Sequence, residues 1–294
     1  MSLNLEMPKV FIVAIGFGLL FSFCSPHSRS FETVQENTFY SDEVRPVKEK
    51  PCFEGAYYRK LVSSEDSWLG ISGRVVLPQL QFDERRIDPK KPKQYLDNPS
   101  IYLGGLMGGQ ETDIGLAWEI VREDDGSISE ARKAFRPFLR RTGHVSGQAA
   151  VFENAPAMKE YYWYPGDEVY MSVKVIANGK VRFIVEGSGK KFERDFECDG
   201  YRFDSHGEFK RVNAIDQVAN EGKPVQSTGT KVLGSEWKST SLYRSMNKNI
   251  VEVPFHNGRY TEMTCPRRAN FQVIATEDQR DSGAEMLSIS GNGF

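Results

Sequence analysis

The stretch from Gly166 to Gly187, GDEVYMSVKVIANGKVRFIVEG, limits the fold more than any other part of the chain. Val169, Met171, Val173 and Val175 alternate with Glu168, Tyr170, Ser172 and Lys174, the period of two that a half-buried strand requires. After Asn178-Gly179, Val181, Phe183 and Val185 alternate with Arg182, Ile184 and Glu186. Asn-Gly between two alternating runs marks a β-hairpin. Directly paired residues share a face, so the loop length can be tested against the pattern. A two-residue loop sets Val175 against Arg182 and Met171 against Glu186. A three-residue loop, Ala177-Asn178-Gly179, sets Val175 against Val181, Val173 against Phe183 and Met171 against Val185. The spacing therefore predicts the three-residue loop, with Gly179 left-handed as the bulge residue.

The rest of the chain reads in the same way. Ile71–Phe82 is a strand in which Pro78 marks an edge or a bend. Ile101–Leu106 is a short apolar strand running into Gly104–Gly109, read as a turn. In Asp113–Val121, Ile114, Leu116, Trp118 and Ile120 share one face, and Asp113, Gly115, Ala117 and Glu119 the other. Ser129–Arg141 reads as a helical turn or a strand, interrupted by Pro137. Ile250–His256 and Arg259–Met263 flank Asn257-Gly258, which predicts a second hairpin. Short strands between Gly/Pro turns, with no long amphipathic helix and no internal repeat, predict an all-β, antiparallel jelly-roll β-sandwich. It occupies residues 52–294 as a single domain.

The amino terminus reads as an address. Val10–Cys24, VFIVAIGFGLLFSFC, follows a short segment ending in Lys9 and gives way at once to polar residues. It is short for a membrane span and suits a secretory signal over residues 1–24. Leu20-Phe21-Ser22-Phe23-Cys24 resembles a loose lipoprotein signal, which makes Cys24 the expected lipidation site. The alternatives are an ordinary signal peptide cleaved nearby or an uncleaved anchor. Residues 25–51 are polar and aperiodic, and read as a tether. Lipidated, the chain belongs at a bacterial outer membrane or cell surface; otherwise it is secreted. Cys52, Cys198 and Cys265 fit no zinc spacing. One pair forms a disulfide in any of three pairings, or all three are reduced.

The formal net charge is −2, which gives no general nucleic-acid footprint. Gly104–Gly109 lacks the Lys and Ser/Thr of a phosphate-binding loop. His27, His144, His206 and His256 are scattered, so no catalytic metal and no cofactor are expected. There is no Gly-x-Ser-x-Gly elbow. Glu111 and Asp113 share a strand face. Retaining glycosidases of the laminarinase type carry Glu-x-Asp followed closely by a second Glu, and need two carboxyls about 5–5.5 Å apart. Here the third position falls on Ile114, Gly115 or Leu116, and Glu119 lies too far along. In Tyr161–Tyr164, alternation puts Tyr161 and Trp163 on one side and Tyr162 and Tyr164 on the other. One pair belongs to the core, and the other, with Tyr162, is a candidate stacking platform for sugar rings. Arg132, Lys133, Arg136, Arg140 and Arg141 form a basic cluster, either a solvated loop or a surface for an acidic polymer.

Taken in order, IYLGG, DIGLAWE, YYWYP, GDEVYMSVKV and EFKRVNAID resemble the layout of the fungal glutamic peptidases, the eqolisins, over about Ile101 to Asp216. That resemblance implies a concanavalin-A-like β-sandwich. Where the family carries its catalytic Gln this chain has Asp113, and Glu208 before Phe209 corresponds to the catalytic Glu. Loss of the Gln removes a group that polarises the attacked carbonyl. The whole body also resembles uncharacterised secreted bacterial proteins of the YrpD type.

Two functions follow as expectations. The first is a non-enzymatic, exported binding module for polysaccharide or another extracellular polymer. Its ligand would lie on Asp113, Glu119, Tyr162, Tyr170, Ser172 and Lys174, with Gly115 and Ala117 as a floor if their strands share a sheet. The second is an eqolisin-like or glycan-directed hydrolase using Asp113 with Glu208, or Glu111 with Glu119. Convergence of such a pair to within about 5–9 Å separates the two.

Overall fold

The computed structural model describes residues 31–33, 39–91, 93–123, 125–129, 133–246 and 249–294. The apolar run ending at Cys24, the lipidation expected on that cysteine, and Arg132 lie outside them.

In chain order the strands are β1 (Phe31–Thr33), β2 (Ala56–Ser63), β3 (Trp68–Val76), β4 (Gln79–Gln81), β5 (Asp97–Met107) and β6 (Gln110–Glu119). There follow β7 (Ala134–Arg141), β8 (Val151–Asn154), β9 (Glu168–Ala177), β10 (Lys180–Gly187), β11 (Lys190–Glu197) and β12 (Gly207–Gln217). The last are β13 (Lys231–Met246), β14 (Asn249–Pro254), β15 (Tyr260–Cys265), β16 (Phe271–Ile274) and β17 (Glu285–Ser290), with one short helix, α1 (Glu277–Asp281), before β17. They form two sheets. A ten-stranded sheet runs β1-β14-β13-β3-β9-β10-β11, with β4, β16 and β17 attached through β13. A seven-stranded sheet runs β15-β2-β12-β5-β6-β7-β8. Apart from the parallel β1–β14 pair, the pairings are antiparallel. The protein is an all-β, antiparallel sandwich.

Alternation supplies the core. Ile71, Val173 and Phe183 of the ten-stranded sheet meet Ile101, Leu103, Ile114, Leu116 and Phe209 of the seven-stranded one. At one end the interior is ionic: Glu285 accepts from Arg59 (2.9 and 2.7 Å) and from Arg211 (2.6 Å), all three buried. Such charges survive away from water only because each has a hydrogen-bonded partner.

The β9–β10 hairpin has the register the alternation requires, with Val175 opposite Val181, Val173 opposite Phe183 and Met171 opposite Val185. The register shifts at Lys180/Val181, and Gly179 has φ +76°.

Elsewhere the structure differs from the sequence reading. Gly104 and Gly105 lie inside β5, and only Gly108 and Gly109, at φ +56° and +76°, turn the chain. A Cβ on Gly104 would stand 2.0 Å from the Thr112 carbonyl oxygen, so this glycine serves close backbone approach. Asn257-Gly258 is not a hairpin: β14 pairs within the larger sheet and β15 within the smaller, so this turn carries the chain between layers. There the Gly258 N–H donates to the His256 ring at 3.0 Å.

Residues 39–51 of the expected tether are bonded to the body. Glu43 is buried against Arg259 (2.7 and 3.0 Å), and the Val44 N–H donates to Asp66 at 2.9 Å. Cys52 is disulfide-bonded to Cys265, with Cα atoms 5.9 Å apart, and Cys198 is a buried free thiol.

Candidate functional site

The expected ligand face combined residues of β6 and β9. These strands belong to different sheets, so Asp113 and Glu119 lie on the outer surface of one and Tyr170, Ser172 and Lys174 on that of the other. The composite face does not exist, because each hydrophobic set faces the same core from opposite sides. On β9, Ser172 is buried, and Lys174 sits 3.8 Å from the Tyr243 ring centre. Tyr170 stands by Arg74, whose guanidinium is 5.5 Å from its ring centre. Tyr162 is wholly buried, its hydroxyl accepting from the Arg122 N–H at 3.3 Å, so it is not a stacking platform. The single 3-10 turn over Lys159–Tyr161 breaks the alternation, so Tyr162 and Trp163 are both buried and Tyr164 is exposed.

The outer face of the seven-stranded sheet is the richer one. Register places Lys210, Gly104, Asp113, Arg140 and Phe152 in one row across β12, β5, β6, β7 and β8. The next row holds Lys60, Val212, Tyr102, Gly115, Phe138 and Asn154. Both run across the strands, and each pair shares a face. Gly115 has a physical reason to be glycine: a Cβ there would lie 2.6 Å from the Cβ of Tyr102. Tyr102 and Phe138 close over it, with ring centres 5.8 Å apart and edge to face, and Phe138 stacks on Phe152 at 6.4 Å. Tyr102 and Phe138 are buried at 8% exposure each, while Phe152 is 67% exposed. The result is an aromatic strip whose last ring is open to solvent at the edge of the sheet.

Charges flank the strip in pairs. The buried Lys210 ammonium lies between Glu111 and Asp113, 2.5 Å from the latter. Burial alone would lower its pKa, but Asp113 and Glu111 hold it above the ordinary lysine value. Glu208 is bonded to Lys50. At the far end Arg136 donates to Glu119 at 2.8 Å. Two groups of this face are displaced toward neutral pH. Burial raises Asp216 to about 6, against a hydrogen bond from the Ser100 hydroxyl at 2.7 Å. Burial and the neighbouring Lys210 lower Lys60 to about 8.

The expected carboxylate pairs fare differently. Glu111 and Glu119, eight positions apart on one strand, stand roughly 27 Å apart along the chain and cannot cooperate. Asp113 and Glu208 share the face but are separated by β5 and by two residues of register, which sets their Cα atoms roughly 12 Å apart. Each is bonded to its own lysine. Tyr102, Phe138 and Phe152 were not among the sequence candidates. The alternation of Arg136, Phe138 and Arg140 against Phe135, Pro137 and Leu139 was readable once Ser129–Arg141 is taken as a strand. The partnership with Phe152 depends on sheet pairing and leaves no local signal.

No protein-family model matches the chain, and no curated protein sequence matches it. Among solved structures, scytalido-glutamic peptidase with a transition state analog inhibitor is similar over 80% of this chain and 98% of its own, with 11% identity and a TM-score of 0.44. SCP-B, a member of the Eqolisin family of peptidases, is similar over the same shares, with 12% identity and a TM-score of 0.40. The β-porphyranase BpGH16B from the human gut bacterium Bacteroides plebeius is similar over 57% of this chain and 54% of its own, with 11% identity and a TM-score of 0.19. All three scores lie below 0.5, and the fold assignment rests on the chain's own two sheets.

Proposed function

We propose that the protein is an exported, non-hydrolytic module that binds a polysaccharide along the outer face of its seven-stranded sheet, held at a bacterial envelope by lipid on Cys24. The observation that carries this reading is the Tyr102–Phe138–Phe152 strip with paired charges on both sides. Aromatic rings offer an apolar face to the C–H side of a sugar ring. The flanking lysines, arginines and carboxylates offer donors and acceptors to hydroxyls. Their charges nearly cancel, which suits an uncharged polar chain. Hydrolysis of a glycosidic bond requires two cooperating carboxyls, whereas Asp113 and Glu208 are each bonded to a lysine.

The test is affinity electrophoresis through gels containing neutral β-glucan or galactan, with Phe152→Ala as the variant. Retardation of the wild-type protein, lost in the variant with its melting temperature unchanged, is the expected result. Equal migration of both in every gel contradicts it. One observation favours the hydrolytic reading: Asp216, on the same face, keeps its proton up to about pH 6, as a general acid must. Release of reducing ends or peptides, abolished in Asp216→Asn, would establish it.

A further inference from the structure

Behind the aromatic strip, on the core side of β7 and β8, the two sheets part at their edges and leave a cavity of about 260 Å³ that opens to solvent. Its apolar wall is Leu139, Val151 and Phe196. Register puts Arg141 opposite Val151 and Phe196 opposite Val181, so these side chains come from the inner faces of opposing sheets.

Three cations and three carboxylates line the cavity, and each of those carboxylates is paired with a cation other than Arg141. Arg194 pairs with Glu153 at 3.5 Å, Lys180 with Glu197 at 3.1 Å, and Asp195 with Arg182 at 2.6 Å. Arg141 lines the same cavity and is only 7% exposed. Its guanidinium donates to the backbone carbonyls of Glu197 and, at 2.7 Å, of Ala149. Its Nε is buried with no acceptor, and among the described residues no carboxylate pairs with it. A buried cation satisfied only by neutral carbonyls is costly, and a carboxylate is the acceptor that best offsets its charge.

We propose that this cavity binds a small organic carboxylate of about the size of one sugar ring, with its charge on Arg141 and its apolar face against Phe196 and Val151. The volume sets the size, lying below the roughly 300–1,000 Å³ of clefts that take larger ligands. The site is separate from the outer face, and its failure would leave the polysaccharide reading untouched.

Isothermal titration of the full chain in detergent with D-glucuronate is the test. D-glucose serves as the same ring without the carboxylate, and N-acetylglycine as a carboxylate without the ring. Glucuronate is expected to bind at least tenfold tighter than glucose. Arg141→Lys, which keeps the charge and loses the fork, is expected to weaken it at least tenfold. Val151→Trp, which fills the cavity and leaves Arg141 in place, is expected to abolish binding at an unchanged melting temperature. N-acetylglycine binding as tightly as glucuronate would overturn the assignment of a ring-sized ligand. Glucuronate binding no better than glucose, or binding that survives Val151→Trp, overturns the proposal.

Discussion

Asp216 shows how one residue's surroundings set a measurable property of the whole protein. Its carboxyl is half-buried beside Ser100, and burial raises its pKa to about 6 from an ordinary 3.8. Between those values the folded protein holds a proton that the unfolded chain has released. Stability contributed at this position is therefore full below about pH 4 and falls as pH rises through 6. A shift of that size corresponds to at most about 3 kcal/mol, and partial exposure reduces it to about 1–2 kcal/mol. Asp216→Asn, which cannot ionise, is expected to flatten the decline in unfolding free energy between pH 4 and 6.5 and to exceed the wild type at pH 7. Urea titrations at a series of pH values measure this, and parallel curves for the two proteins would contradict it. Lys60 has the opposite sense: at about 8 against an ordinary 10.5, its contribution is recovered as pH rises between those values. Neither shift has a local sequence signature, since each arises from neighbours on other strands.

At the scale of elements, the β9–β10 hairpin was legible in full, because its pattern and its turn residues constrain each other. Only one loop length pairs like with like. Gly179 has open space around it, the nearest contact to an added Cβ being Asp199 at 3.9 Å, so its role is its φ of +76°. Gly179→Val is expected to destabilise the fold by at least about 1–2 kcal/mol, because a β-branched residue is strained there. Urea unfolding measures this, and an unchanged midpoint would count against the left-handed bulge. The Asn257-Gly258 prediction failed for a reason the same logic exposes. The flanking runs alternate, but nothing local tells whether two strands pair with each other or with strands of separate layers. His256 and the buried Phe255 fix the corner instead. Gly104 and Gly105 misled in the converse way. Their clustering with Gly108 and Gly109 looks like a turn, whereas the first two allow β6 and β12 to lie close against β5. The candidate site suffered most from this limit. Asp113 and Glu119 were found from alternation, but the rings beside them come from β5, β7 and β8.

For the whole molecule, the sandwich arises from alternation in nearly every strand, closed by a long-range clasp. Cys52 and Cys265 are separated by 213 positions. Cross-links over long loops restrict the unfolded chain most, and loss of this one is expected to cost about 2–5 kcal/mol. Cys52→Ser with Cys265→Ser should lower the unfolding free energy by that amount and leave Cys198 buried, and an unchanged unfolding curve would contradict the clasp. The architecture places the aromatic strip on one outer surface and Tyr170 and Lys174 on the opposite one, so a polymer ligand must choose between them. Hydrogen–deuterium exchange of the protein with and without a polysaccharide that retards it in gels reads that choice directly. The account predicts protection over Ala134–Arg141 and Val151–Asn154, no change over Glu168–Ala177, and a polymer recovered at its original length. Protection of Glu168–Ala177 with none at Ala134–Arg141, or a shortened polymer, would contradict it.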